Sequence, residues 1–426
     1  MIKVFKFGGA SVKDAEGVRN VAGIFRLYPG EKILAVISAM GKTTNTLEVL
    51  LHAYCSGKGE VQELLHGIKQ FHLRIMNDLF PGKNHPVYDQ VNNFFTEIEW
   101  VLEEKPGKNY DFLYDQIVPV GEFISSAIVS AYLGTSGINN RWVDVRDCIR
   151  TDDTYREAKV NWEATAARVQ DIIPPLFTPE VNTLVTQGFT GCTPENNTTT
   201  LGREGSDYSA AIFAFCLDVS EVTIWKDVPG VLNADPKRYP AAVKIDRLSY
   251  FDAIELAYYG ATVIHPKTIK PLQNKKIPLR VKSFASPSEP GTLIDVEEFP
   301  LTVPCFIFKP GQLLATLSPK DFSFIVEENL SEIFRLFALH RIKINVMQNS
   351  ALSFSVCMDD DGSRIPALVR DLQKQFKVRY NRGMELVTVR HYTQAAIDNC
   401  TAGKEILLEQ KSRHTAQFVM RAPQPV

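Results

Sequence analysis

Short apolar runs alternate with helix-spaced segments along most of the chain, and several runs end in a Gly-containing polar turn. Ile2-Lys3-Val4-Phe5-Lys6-Phe7 predicts a strand, Gly8-Gly9-Ala10-Ser11 breaks it, and a helix is expected from about Asp14 to Tyr28. Lys32 to Ile37 predicts a second strand that empties into Ser38 to Asn45, with a helix from Thr46 to Tyr54. Two strand–turn–helix units place two polar loops at the carboxyl ends of a parallel sheet, where open α/β folds bind ligands. Residues 55–115 change character: Val61 to Leu79 and Val87 to Glu104 carry apolar positions at helical spacing around a Pro81-Gly82 break. This stretch predicts a helical excursion forming one wall of a cleft.

Further on, Ile117 to Glu122 introduces a helix over Phe123 to Leu133 with Glu122 in its first turn. Strands are expected at Arg141 to Val145, Asn182 to Gln187, Val219 to Trp225 and Pro278 to Val281, and helices over Trp162 to Ile173 and Phe251 to Tyr259. His265-Pro266-Lys267 opens another helix. The most informative stretch is Thr198-Thr199-Thr200-Leu201-Gly202-Arg203-Glu204-Gly205-Ser206-Asp207, which runs into an apolar helix from Ala210 to Leu217. Such a loop delivers backbone N–H groups to a helix start that favours an anion, next to the Arg203 guanidinium and the Asp207 carboxylate. The plainer alternative is that Ser206 or Asp207 caps the helix. Lys226 to Lys237 is a turn-rich loop after a strand, suited either to nucleotide contact or to a plain surface role.

Near Ser286 to Pro304 the chain turns Pro-, Ser- and Glu-rich, and a domain boundary is expected there, giving domains at 1–298 and 299–426. Beyond it, strands at Leu313 to Leu317, Ile344 to Met347, Ser353 to Met358 and Val387 to Val389 alternate with helices over Leu330 to His340 and Ile365 to Gln375. That is a βαββαβ order, built for antiparallel pairing and for association with copies of itself. A shorter echo follows in Gln394 to Asn399, Ile406 to Leu408 and Ala416 to Met420.

Composition narrows the class. With 47 basic and 49 acidic residues the formal charge is −2, so no global field attracts nucleic acid or an anionic membrane. The seven cysteines are scattered singly, which predicts reduced thiols and a cytoplasmic setting. A strand-like run begins at Ile2, so no targeting segment is expected before the fold, and no apolar run is read as long enough to span a membrane. His52, His66, His72 and His85 fit no metal-ligand spacing and are expected to be solvated or capping. The Gly8-Gly9 turn is neither a Rossmann nor a Walker pattern.

Lys6 to Ser11, Ser38 to Asn45, Gly121-Glu122 with Ser125, and Leu201 to Ala211 together resemble the amino-acid kinase family, on its aspartate-phosphorylating branch. The tail resembles the ACT regulatory module of the same enzymes. The resemblance implies an αβα sandwich with a mostly parallel central sheet, followed by a smaller α+β ACT-like region whose second module is abbreviated. It implies ATP with Mg2+ carried on its phosphates, L-aspartate as acceptor, and a homo-oligomer formed through the tail. Residue by residue, it makes Lys6 the cation on the phosphates, with Gly8, Gly9 and Ser11 in the phosphate turn. Ser38, Thr44 and Ser206 fall near the reacting carboxylate, Glu122 takes the substrate ammonium and Arg203 its α-carboxylate. Asp207 organises the reacting centre, and Lys226, Asp227 and Lys237 serve the nucleotide. Another carboxylate kinase of the family, or a silent ACT amino-acid sensor, are the alternatives; a fused dehydrogenase is not expected in 426 residues.

The chain also departs from the family pattern. Ala10 stands for a usual Thr, Glu204 for a Gly, Lys226 for a Thr, Leu232 for an aromatic and Thr262 for a Lys thought to touch phosphate. Lys226 or Lys267 is the candidate replacement for that cation. The run Lys320 to Asn329 does not match the usual lysine-binding segment, so weak or absent lysine inhibition is expected.

Overall fold

The structure, a computed structural model, describes residues 1–422 apart from residues 83, 108, 262, 263, 298, 300, 302 and 322. Thr262 therefore lies outside the described residues. Two compact units are present, Met1–Val231 with Lys244–Ile254 and Val263–Phe299, and Leu232–Val243 with Glu255–Thr262 and Pro300–Val426.

The first unit begins β1 (Ile2–Phe7), α1 (Ala15–Arg26), β2 (Lys32–Ile37), α2 (Thr43–Ser56), α3 (Val61–Leu79), α4 (Val87–Glu103), α5 (Tyr110–Ile117) and α6 (Val120–Thr135). It continues through β3 (Asn140–Val143), α7 (Val145–Cys148), α8 (Trp162–Leu176), β4 (Thr183–Gln187), β5 (Thr190–Cys192), β6 (Thr198–Thr200), α9 (Gly205–Leu217) and β7 (Glu221–Lys226). Then come β8 (Arg247–Ser249), α10 (Tyr250–Tyr259, whose residues from Glu255 on belong to the second unit), α11 (Pro266–Lys275), β9 (Leu279–Ser283) and β10 (Thr292–Asp295).

The main sheet runs β3-β4-β2-β1-β7-β9-β10-β8, parallel throughout except where β9 meets β10. The chain leaves β1 for β2 on one side and later returns to its other side as β7, so β1 lies at a topological switch point. In register, Phe7 faces Ile37 and Trp225, and Ile37 faces Gln187, which brings four carboxyl ends level. Strands buried on both faces need continuous apolar sequence. Val4, Phe5 and Phe7 of β1 and Ile33 to Ile37 of β2 are all buried, so Lys6 stands out as the one buried cation on these two strands. Helix α9 is apolar nearly all round and packs against β1, β2 and β7, as a helix inside a layer must.

Most predicted elements of this unit form within a few residues of the expected bounds. Helix α2 starts at Thr43 rather than Thr46, and α9 at Gly205 rather than Ala210. Ser206 and Asp207 are consequently buried first-turn residues rather than caps; the N-cap position is Glu204, whose side chain makes no capping bond. The unanticipated elements of this unit are α5, α7, the β5–β6 hairpin that absorbs Thr198 to Thr200, β8, and β10, which falls inside the Pro- and Ser-rich boundary stretch. Tyr110–Thr135 is long and apolar enough to cross a membrane, contrary to the expectation from the sequence, and 78% of its apolar 18-residue window is buried inside the structure. Its apolarity is that of a core: α6 buries Phe123, Ile124, Ile128 and Leu133.

The second unit holds β11 (Cys305–Pro319), α12 (Glu327–Leu339), β12 (Ile344–Asn349), β13 (Phe354–Asp359), α13 (Ile365–Leu372), β14 (Phe376–Arg390), α14 (Gln394–Thr401), β15 (Glu405–Lys411) and β16 (Thr415–Arg421). Its antiparallel sheet runs β12-β13-β11-β14-β16-β15. Strands β11 and β14 are far longer than predicted because each serves two halves of one sheet. One half packs Leu313, Leu317, Ile333, Phe337, Leu368 and Phe376 in a βαββαβ unit. The other packs Phe306, Val389, Ile397 and Phe418, with α14 as its helix. The register shift near residues 309–314 marks the change between them.

Candidate active site

At the carboxyl edge of the parallel sheet, three chain segments bring charge together. Lys6 is the penultimate residue of β1, Lys226 ends β7, and Asp207 occupies the first turn of α9. Lys6 Nζ lies 2.6 Å from Asp207 Oδ1, and Lys226 Nζ lies 3.7 Å from Oδ2, so one carboxylate bridges two ammonium groups. Asp207 has no solvent exposure. Burial alone would raise its pKa; the Lys6 and Lys226 charges together outweigh burial and hold it below the usual carboxylate range.

The β1 turn is pressed against the β2 turn. A Cβ on Gly9 would sit 2.7 Å from the Ala39 carbonyl oxygen, and the Gly41 N–H donates to the Gly9 carbonyl at 3.0 Å. No larger side chain fits between the two turns, which leaves their backbone amides close together. Ser11 and Ser38 are buried beside them, and Thr44 is half-buried in the first turn of α2.

Glu122, in the first turn of α6, is buried and chemically incomplete. Burial pushes its pKa up to about 8, against the Lys6 charge and a hydrogen bond from the Ala39 backbone amide. Its Oε2 and the buried hydroxyl of Ser125, three residues on, have no partner among the described residues. A buried orphan carboxylate oxygen calls for a partner, and a ligand ammonium supplies one.

Arg203 is exposed at the mouth of the α9 loop, which turns through two left-handed residues, Gly202 (φ 78°) and Glu204 (φ 55°). The departure from Gly at 204 therefore falls on a position where an L side chain is strained. Asp227 is exposed just past β7. Lys237 belongs to the second unit, where its backbone N–H bonds Asp235 Oδ1 at 2.9 Å.

The Amino acid kinase family profile matches residues 1–283. The chain belongs to the amino acid kinase family, in its aspartokinase branch. Among aspartokinases, Lysine-sensitive aspartokinase 3 of Escherichia coli strain K12 is 31% identical over 421 residues, covering 95% of this chain and 90% of that protein. Aspartokinase 1, chloroplastic, of Arabidopsis thaliana is 31% identical over 409 residues, covering 91% and 70%. The crystal structure of E. coli aspartokinase III in complex with lysine and aspartate superposes with a TM-score of 0.81 at 28% identity, covering 98% of this chain and 95% of that one. The same enzyme in complex with aspartate and ADP gives 0.80 at 27% identity, covering 98% and 96%.

One histidine departs from its reading in the sequence, and a second opens its helix as expected. His72 of α3, expected to be solvated or capping, has no exposure. Its Nδ1 lies 2.8 Å from the Ile68 carbonyl oxygen and its Nε2 3.4 Å from Thr43 Oγ1, beneath the start of α2. Burial lowers its pKa to about 4, so it stays neutral. His265 caps α11 by accepting from the Lys267 N–H. Burial first, then the Lys267 charge, lowers its pKa, while the Asp207 and Glu204 charges oppose them.

Proposed function

We propose that the protein transfers the γ-phosphoryl group of ATP to the side-chain carboxylate of L-aspartate, giving 4-phospho-L-aspartate and ADP. The observation that carries this reading is the Lys6–Asp207–Lys226 bridge beside the orphaned Glu122 oxygen at the sheet's carboxyl edge. A bond forms between the aspartate side-chain oxygen and the γ-phosphorus as the bond from that phosphorus to the β–γ bridging oxygen breaks. The nucleophile is a carboxylate, ionised at pH 7, so the step needs no general base. What remains for the protein is positioning and neutralising phosphoryl charge.

In this reading Lys6 meets the transferring phosphoryl group, and Gly8, Gly9 and Ser11 offer donors from the β1 turn. Asp207 keeps both lysines in place. Glu122 and Ser125 receive the substrate ammonium, the Arg203 fork takes the α-carboxylate, and Ser38, Thr44 and Ser206 border the reacting side chain. Lys226 supplies the second cation, a role its position on Asp207 supports better than the exposed start of α11 supports Lys267. Asp227 and Lys237 serve the nucleotide, and Mg2+ travels with the ATP phosphates. Residues 299–426 act as the ACT-like region that pairs two copies, with weak or absent response to lysine. The product feeds lysine, threonine and methionine synthesis in the reducing cytoplasm, a setting that suits seven free cysteines.

A coupled ADP-release assay across L-aspartate, L-glutamate, UMP and carbamate tests the reading. ADP release that depends on L-aspartate alone is expected; equal release with another acceptor overturns the substrate assignment.

A further inference from the structure

The loop that carries Arg203 is held from behind by a residue of the helical excursion. Asp115, near the end of α5, has no solvent exposure, and its carboxylate accepts three hydrogen bonds. The Thr200 N–H donates to Oδ2 at 2.8 Å, the Thr200 hydroxyl to Oδ1 at 2.7 Å, and the Arg156 N–H to Oδ2 at 3.0 Å. The next residue, Gln116, donates from Nε2 to the Thr198 carbonyl at 3.0 Å. One helix end thus grips β6, the strand that leads directly into Leu201-Gly202-Arg203.

The same carboxylate grips a second wall. The chain held through Arg156 N runs on to Ala158, whose N–H donates to the Thr200 carbonyl at 3.0 Å. Between these points it lies against Gly202: a Cβ there would meet the Arg156 carbonyl oxygen at 3.3 Å and Glu157 Cγ at 3.2 Å. Gly202 is left-handed, so the direction in which the chain leaves for Arg203 depends on how Thr200 and Arg156 are spaced around it. Asp115 is the only atom group among the described residues that bonds both.

We propose that Asp115 is a positioning residue for substrate: it sets the register between β6 and the 156–158 segment and thereby aims Arg203 at the α-carboxylate. The proposal rests on the reading of Arg203 as that clasp. Asp115 touches neither substrate nor nucleotide; it acts through Thr200 and Gly202. Geometry held this way weakens binding of one substrate when lost and leaves the nucleotide side alone.

The test is steady-state kinetics on the full chain with both substrates varied. Asp115→Ala leaves two backbone donors unsatisfied and is expected to raise the KM for aspartate about tenfold with the KM for ATP unmoved. Asp115→Asn accepts both N–H groups on its amide oxygen and donates to the Thr200 hydroxyl, so it restores the aspartate KM to within about twofold. Thr200→Val removes only the hydroxyl bond and is expected to raise the aspartate KM about threefold. Should Asp115→Ala fail to fold, Thr200→Val decides. Unchanged aspartate KM in folded Asp115→Ala or in Thr200→Val, or parallel changes in both KM values, overturns the proposal. Arg203→Ala runs alongside: if it leaves the aspartate KM unchanged, the clasp reading itself has failed, whereas a rise with no effect at 115 or 200 sinks only the positioning role.

Discussion

Lys6 Nζ and Asp207 Oδ1 lie 2.6 Å apart with the carboxylate wholly out of solvent, one group from a strand end and the other from a helix start. Removing Asp207 strips Lys6 and Lys226 of their shared counter-charge in a largely buried site, at a cost of about 3–5 kcal/mol. Asp207→Asn is therefore expected to lower both urea stability and kcat, the latter by about a hundredfold or more. Because the folded-state pKa of Asp207 is depressed, its contribution to stability is present above the unfolded value near 3.8 and is lost as pH falls through the still lower folded value. Denaturation curves from pH 5 downward, compared between wild type and variant, check the sign.

Glu122 carries the opposite shift. Its pKa is pushed up to about 8, so in the free protein at pH 7 most of it holds a proton. Binding an ammonium requires the carboxylate, and the KM for aspartate is expected to fall as pH rises through about 8. Glu122→Gln removes that pH dependence. Stability moves the other way: between the ordinary value of 4.5 and about 8 the folded state binds the extra proton, so wild-type stability declines across that window.

Lys226 is the second cation on Asp207, at 3.7 Å. Lys226→Ala is expected to reduce kcat/KM for ATP by about tenfold or more, while Lys267→Ala, at the exposed start of α11, stays within about twofold. Unchanged ATP turnover in Lys226→Ala would show that Lys226 does not replace the missing family lysine.

Glu204 is held at φ 55° without capping the helix it precedes. Glu204→Gly relieves a left-handed L residue and is expected to stabilise the protein by about 1 kcal/mol in urea denaturation. It also removes a negative charge beside Arg203, so the KM for aspartate should not rise.

Millimolar lysine is expected to leave activity within about twofold, since the segment Lys320 to Asn329 departs from the family's lysine-binding run. Inhibition at sub-millimolar lysine, measured by ADP release, would overturn this.

Much of the candidate site was legible because its residues sit where local sequence changes character. Lys6 interrupts an apolar strand, and Asp207 follows a Gly-rich turn into an apolar helix. The polar start of α9 was misjudged for a physical reason: tertiary burial draws Ser206 and Asp207 into the helix, and periodicity does not register polar residues that face a site. Asp115 and His72 were invisible because their partners are distant, Thr200 lying 85 residues from Asp115 and Thr43 lying 29 from His72. Nothing in the short apolar segment around α5 announces a carboxylate that serves another strand. In the second unit, β11 and β14 were cut short because their middle residues alternate weakly, although sheet pairing carries them through.

The most direct measurement is transfer of label from γ-labelled ATP to L-aspartate, with the product trapped by hydroxylamine. Wild-type protein is predicted to give labelled, hydroxylamine-sensitive aspartyl phosphate in step with ADP release, and Asp207→Ala essentially none. Label that appears only in inorganic phosphate, or an Asp207→Ala variant as active as wild type, would contradict a phosphoryl transfer organised on the Lys6–Asp207 pair.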